Sequence, residues 1–144
     1  MSADSLGNPD DEAIARLLAK SRTIAVVGLS PKPDRDSNRI ARYLLGAGYE
    51  VIPVYPREDE ILGRPVFRSI QEITKKVDLV DVFRRSSELS GVVDDALAAG
   101  APALWFQLDC IDLQAAERAR SAGATVVMDR CIMVDHRRLW GAKR

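Results

Sequence analysis

The run Thr23–Gly28 (TIAVVG) constrains this chain more than any other segment. It carries no charge and no alternation of polar and apolar residues, so it reads as a strand buried on both faces. Such a strand needs other elements above and below it, and the closing glycine permits a tight turn directly afterwards. The signature recurs in Glu50–Tyr55, Asp78–Phe83, Pro102–Gln107 and Thr125–Asp129. Pro53 withholds a ladder donor from the second of these strands. Helical stretches lie between them. Ser37–Ala47 ends at Gly48, Ser69–Glu72 has the spacing of a capping box, Leu89–Leu97 stops at Gly100, and an Ala-rich stretch capped by Asp112 ends at Gly123. Ahead of the first strand, Asn8 reads as the cap of a helix with Pro9 in its first turn and Ile14, Leu17 and Leu18 as its apolar stripe.

Strands alternating with helices, joined by right-handed crossovers, give a mainly parallel sheet covered on both faces. The expected fold is α/β: a single Rossmann-like doubly wound domain with a mainly parallel five-stranded sheet in the order 3-2-1-4-5. The expected organisation is an N-terminal tail and helix over 1–20, the domain over 21–136 and a basic tail over 137–144. The length of 144 residues and the 47% apolar content are enough for a hydrophobic core. The 21 basic and 21 acidic residues balance, so no global field draws the chain to nucleic acid or membrane. No apolar run approaches the roughly 20 residues of a membrane span. The segment Met1–Asp11 is acidic and polar, unlike a signal peptide, and a cytoplasmic location is expected. Cys110, Cys131 and His136 are too few for a zinc site, so no metal is expected, and His136 reads as a surface residue. Both cysteines follow strand ends; two buried inert thiols and a disulfide switch are the competing readings.

In such a sheet a ligand lies beyond the carboxyl ends of the strands, where their order reverses; here that is between the first and fourth strands. Gly28, Leu29, Ser30, Lys32 and Arg35 lead there into the helix start Ser37-Asn38. Free N–H groups and the positive end of the helix dipole favour phosphate at that point. The dinucleotide fingerprint is absent, since Ser30 and Pro33 stand where its second and third glycines would be. An ordinary loop with solvated charges is the alternative.

Tyr55-Pro56-Arg57 follows the second strand. An NAD binder usually carries an acid there, for the ribose hydroxyls. A cation suits a phosphorylated ribose instead: the 3′-phosphate of coenzyme A (CoA) or the 2′-phosphate of NADP. Pro56 offers adenine a flat apolar face. The neighbours Glu58, Asp59 and Glu60 leave open a solvated loop charge. Phe83-Arg84-Arg85 adds two cations at the third strand end, of which one faces the ligand. Pairing of one arginine with Asp81 or Glu88 is the alternative. Asp109 and Asp129 lack the paired-carboxylate pattern of acid–base chemistry, and no catalytic constellation is visible.

These residues resemble the small stand-alone CoA-binding proteins, which are similar to the nucleotide-binding domain of the succinyl-CoA synthetase alpha subunit. The matching stretches are Ile24–Ser30 with Ser37-Asn38, Tyr49–Val54 with Pro56, Val80–Arg85, Trp105–Leu108 and Val127–Cys131. The resemblance implies a Rossmann domain that binds CoA or acyl-CoA. It implies that Gly28, Ser30 and the Ser37-Asn38 helix start hold the pyrophosphate side. Pro56 and Arg57 would lie near adenine and the ribose phosphate, with Phe83 and Arg84 in the same cleft and Gln107 at the neighbouring strand end. Two positions depart from the family: Tyr55 replaces a common Asn, and Asp109 replaces a common Gly, placing an acid and a β-carbon at the mouth of the pocket. The synthetase's phosphohistidine domain has no counterpart, so ligase activity does not carry over. The expected function is non-catalytic CoA binding, with a homodimer or an enzyme as possible partner. An NADP-binding reductase-like domain and an interaction subunit with an empty nucleotide fold are the alternatives.

Overall fold

The first strand, β1 (Thr23–Val27), is buried along its whole length, as its apolar run requires. The computed structural model describes residues 5–140. β1 pairs in parallel with β2 (Glu50–Val54) on one side and β5 (Leu79–Val82) on the other; β6 (Ala103–Phe106) and β7 (Thr125–Met128) extend the sheet beyond β5. All five strands are parallel, and the order is β2-β1-β5-β6-β7. A two-stranded hairpin, β3 (Glu60–Ile61) and β4 (Arg64–Pro65), stands outside this sheet. The α/β class and the mainly parallel five-stranded sheet are as expected.

The placement of the third strand needs a correction. Asp78–Phe83 was expected outside β2, but β5 lies against β1. The outer side of β2 is taken by one parallel bridge, Val54 with Phe67, where the chain returns from the hairpin. Phe67 accepts from the Tyr55 N–H and donates to Pro53, at 3.0 Å each. Counted as a rudimentary third strand, Phe67 restores the run 3-2-1 on one side of β1. The reversal then falls between β1 and β5, not between β1 and Pro102–Gln107. A one-residue bridge leaves no apolar run in the sequence, which is why it went unread.

The pleat sends alternate residues to opposite faces. Ala25, Val27, Val80 and Val82 meet the helices α3 (Leu89–Ala98) and α4 (Leu113–Ser121). Ile24, Val26, Leu79 and Trp105 meet α1 (Asp11–Lys20), α2 (Asp36–Gly46) and α5 (Ile132–Trp140). Cys110 belongs to the first core and Cys131 to the second; both are buried and free. The sheet separates them, which leaves the disulfide switch without support. Burial pushes the Cys110 thiol up, and its Sγ donates to the Arg84 carbonyl at 3.0 Å.

Several local expectations are also corrected. Asp10, not Asn8, caps α1, accepting from the Ala13 N–H at 2.9 Å. Asn8 is buried against β7 instead. Glu72 reaches the Arg68 N–H and not that of Ser69, so no capping box closes and Ile70–Glu72 forms a single 3-10 turn. Asp112 caps α4 as read, accepting from the Ala115 N–H at 3.0 Å. His136 is buried, not superficial: its Nδ1 lies 2.7 Å from the Tyr43 hydroxyl, and its ring meets Tyr43 and Tyr49 edge-on. The basic segment expected as a tail is helical through Trp140, and Arg138 forks onto the carboxylate of Asp11 at 2.7 and 2.9 Å. Residues 1–4 and 141–144, the ends of the two expected tails, lie outside the described residues. No described helix is long and apolar enough to cross a membrane.

Candidate functional site: a cationic cleft between β1 and β5

Gly28 follows β1 with φ at +85°. A β-carbon there would overlap the Phe83 carbonyl oxygen and lie 3.2 Å from Arg84 Cδ. The glycine therefore lets the ends of β1 and β5 close on each other, a demand of the fold before it is one of any ligand. The loop beyond it is tied down by its own polar groups. The Ser30 N–H donates to Ser37 Oγ at 2.9 Å, the Lys32 N–H to Ser30 Oγ at 3.1 Å, and Asn38 Nδ2 to the Ser30 carbonyl at 2.9 Å. Ser37 thus serves the loop, while the residue in the cap position of α2, Arg35, makes no side-chain capping bond.

These residues open onto a cleft of about 770 Å³. Its lining takes Gly28, Ser30, Lys32, Arg35 and Ser37 from the first loop, Tyr55, Pro56 and Arg57 from the end of β2, and Phe83, Arg84 and Arg85 from the end of β5. Asp36 and Glu88, which sequence reasoning did not place in the site, complete it. Three anticipated residues lie behind it. Leu29 is fully buried in the core. Asn38 is buried, with its Oδ1 accepting from Arg42 Nε at 2.9 Å. Gln107 is buried and donates through Nε2 to Asp81 Oδ1 at 2.5 Å. Asp81 is wholly enclosed, and this burial pushes its pKa up to about 8 against the opposing Gln107 bond; its Oδ2 has no hydrogen-bond partner among the described residues. Burial thus favours the neutral form of the Asp81 carboxyl.

Five cations, Lys32, Arg35, Arg57, Arg84 and Arg85, face two acids in the lining. Arg84 Nε pairs with Glu88 Oε1 at 2.5 Å, so the ion-pair alternative holds for Arg84 and Glu88, whereas Asp81 bonds Gln107. Arg84 and Glu88 also border a second cavity of about 680 Å³, floored by Val27, Val54, Ile70 and Val92. Behind the β2 loop, Arg68 Nη1 donates to the carbonyls of Tyr55, Arg57 and Glu58 at 3.2, 3.2 and 2.9 Å. That clamp holds the segment presenting Pro56 and Arg57, in which Glu58 adopts φ of +70°.

Asp109 lies outside the cleft lining. Its φ of +68° is a conformation that glycine adopts without strain. Its N–H donates to Asp129 Oδ1 at 2.8 Å, and its carbonyl accepts from Ser86 Oγ at 3.1 Å. Among the described residues no group of three His, Cys, Asp or Glu side chains is disposed to hold a metal ion.

The sequence pattern of the CoA binding domain matches residues 22–137. The chain belongs to that family. It is 43% identical over 129 residues to the uncharacterised protein YneT of Bacillus subtilis, covering 90% of this chain and 96% of that one. A hypothetical protein from Pyrococcus horikoshii superposes with a TM-score of 0.91 at 38% identity, covering 96% of this chain and 97% of that one. The dinucleotide-forming acetyl-coenzyme A synthetase 1 of Ca. Korarchaeum cryptofilum superposes with a TM-score of 0.67 at 28% identity. That match covers 74% of this chain but only 26% of the synthetase, so this CoA-binding-family chain is similar to about a quarter of that enzyme.

Proposed function

We propose that this chain is a CoA-binding module, without chemistry of its own, whose cleft receives the nucleotide end of CoA or an acyl-CoA. The observation that carries this reading is Arg57. It lines the cleft at the end of β2, where an NAD-binding domain has a carboxylate for the ribose hydroxyls. A guanidinium there matches a phosphorylated ribose. The α2 start with Ser30, Lys32 and Arg35 would take the pyrophosphate, and Pro56 would lie against adenine. Arg84 and Arg85 add positive charge from the β5 end. Membership of the CoA binding domain family supports the same ligand class. A cytoplasmic carrier or sensor, working as a homodimer or beside an enzyme partner, would use the cleft in this way.

Calorimetric titration with CoA, dephospho-CoA and NADPH tests the reading. CoA should bind, dephospho-CoA should bind at least about tenfold more weakly, as loss of a charge-assisted contact implies, and NADPH should give no heat. Equal affinity for CoA and dephospho-CoA removes the ribose-phosphate contact. Preferential binding of NADPH replaces CoA with NADP as the ligand.

A further inference from the structure

We infer that Glu88 is a built-in competitor of the ligand, a carboxylate that occupies Arg84 until a phosphate displaces it. The inference rests on the CoA-binding reading above and adds a residue that tunes it.

The cleft's cations are not equivalent. Among the described residues, Arg84 is the cleft cation with a carboxylate within 4.0 Å, while Lys32, Arg35, Arg57 and Arg85 form no ion pair. The other acid in the lining, Asp36, is engaged elsewhere, by Arg39 at 2.9 Å. Glu88 is therefore the acid whose charge is spent on the site itself. The position of the pair gives this consequence. Arg84 Cδ lies 3.2 Å from the point a β-carbon on Gly28 would occupy, so its side chain runs over the turn that opens the cleft. Arg84 and Glu88 are also the residues common to the linings of the cationic cleft and of the second cavity. The ion pair therefore borders both spaces.

Its strength suits an exchangeable contact. The two side chains are 38% and 37% exposed. A pair this open amounts to a factor of about five or less in an equilibrium. A phosphate carries more charge than a carboxylate and offers more acceptor oxygens, so it outcompetes Glu88 for Arg84. Glu88 lowers affinity twice, by occupying the guanidinium and by repelling the incoming anion. Only the first effect passes through Arg84, which makes the two separable.

The experiment is a double-mutant cycle of E88Q, R84Q and the double variant. Each protein is titrated with CoA, and its thermal unfolding is followed to verify the fold. E88Q should tighten CoA binding about three- to tenfold, and R84Q should weaken it. In the R84Q background the gain from E88Q should fall below about twofold. An undiminished gain in that background overturns the competition and leaves only repulsion through space. No gain from E88Q while the natural chain binds CoA overturns the inference but spares the CoA reading. Absence of CoA binding by both the natural chain and E88Q overturns both. Should E88Q unfold, Glu88→Ala is judged by the same outcomes.

Discussion

Gly28 and Phe83 meet backbone to backbone: a β-carbon on the glycine would collide with the phenylalanine carbonyl oxygen. The collision partner is main chain, so no rotamer change relieves it, and φ of +85° is itself strained for any other residue. Gly28→Ala should therefore lower the unfolding free energy by roughly 2–4 kcal/mol, read as the shift of the urea midpoint. An unchanged midpoint would mean that β1 and β5 do not close as described. The loss should appear without ligand, because the clash belongs to the fold.

Asp81 gives a pH signature. Its pKa stands near 8 in the folded chain against 3.8 for an ordinary aspartate. The raised value means that the folded state binds the proton more tightly than the unfolded one. Its contribution to stability is full below pH 4, declines as pH rises between 4 and 8, and is exhausted above 8. Relative to an Asp81→Asn variant, whose amide stays neutral, the natural chain should lose up to about 1.4 kcal/mol per pH unit across that window. Denaturant titrations at pH 5, 6.5 and 8 measure the difference. Parallel pH profiles for the two proteins would show that Asp81 is ionised throughout.

Much of this arrangement was legible in the sequence because it depends on local signals. Buried strands are uncharged runs, Asp112 is a side-chain cap, and most of the cleft lining sits at the strand ends where a doubly wound sheet delivers its loops. What was not legible depends on contacts remote in sequence. The rudimentary strand at Phe67 is a single bridge, so the position of β5 could not be read. Gln107 and Asn38 carry the same polar groups whether they face a ligand or brace the loops, and only burial separates the two roles. His136 looked superficial because its partners, Tyr43 and Tyr49, are more than eighty residues earlier in the chain. Glu88 was visible as a partner for an arginine, but not as a wall of the site.

Arg57 should report on the ribose phosphate alone. It lines the cleft and forms no ion pair among the described residues, and the loop that carries it is held through its carbonyls by Arg68. Removing the Arg57 side chain charge should leave that loop in place. Arg57→Gln should weaken CoA by about 1.5–3 kcal/mol, the range for a charged hydrogen bond, and leave dephospho-CoA within a factor of about two. Calorimetry with both ligands checks the prediction. Equal weakening of the two would assign Arg57 to the pyrophosphate or to the loop.

The exposed edge of the sheet is closed by a side chain. Asn8 Nδ2 donates to the Met128 carbonyl at 2.9 Å, and its Oδ1 accepts from the Met128 N–H at 2.7 Å, so one amide does for β7 what a further strand would do. Arg120 supports the seal, reaching the carbonyls of Leu6 and Val126 at 2.9 and 3.0 Å. Unpaired groups on an edge strand recruit other chains, and buried ones cost stability. Asn8→Ala should lower the unfolding free energy by about 1–3 kcal/mol and make the chain self-associate more readily, seen as a rise in light-scattering mass with concentration. Asn8→Asp keeps the acceptor for the Met128 N–H but sets a buried carboxylate oxygen against the Met128 carbonyl, and should cost at least as much as Asn8→Ala at neutral pH. A loss of stability without any change in association would limit Asn8 to anchoring the segment ahead of α1; no loss at all would mean that water replaces the amide on Met128.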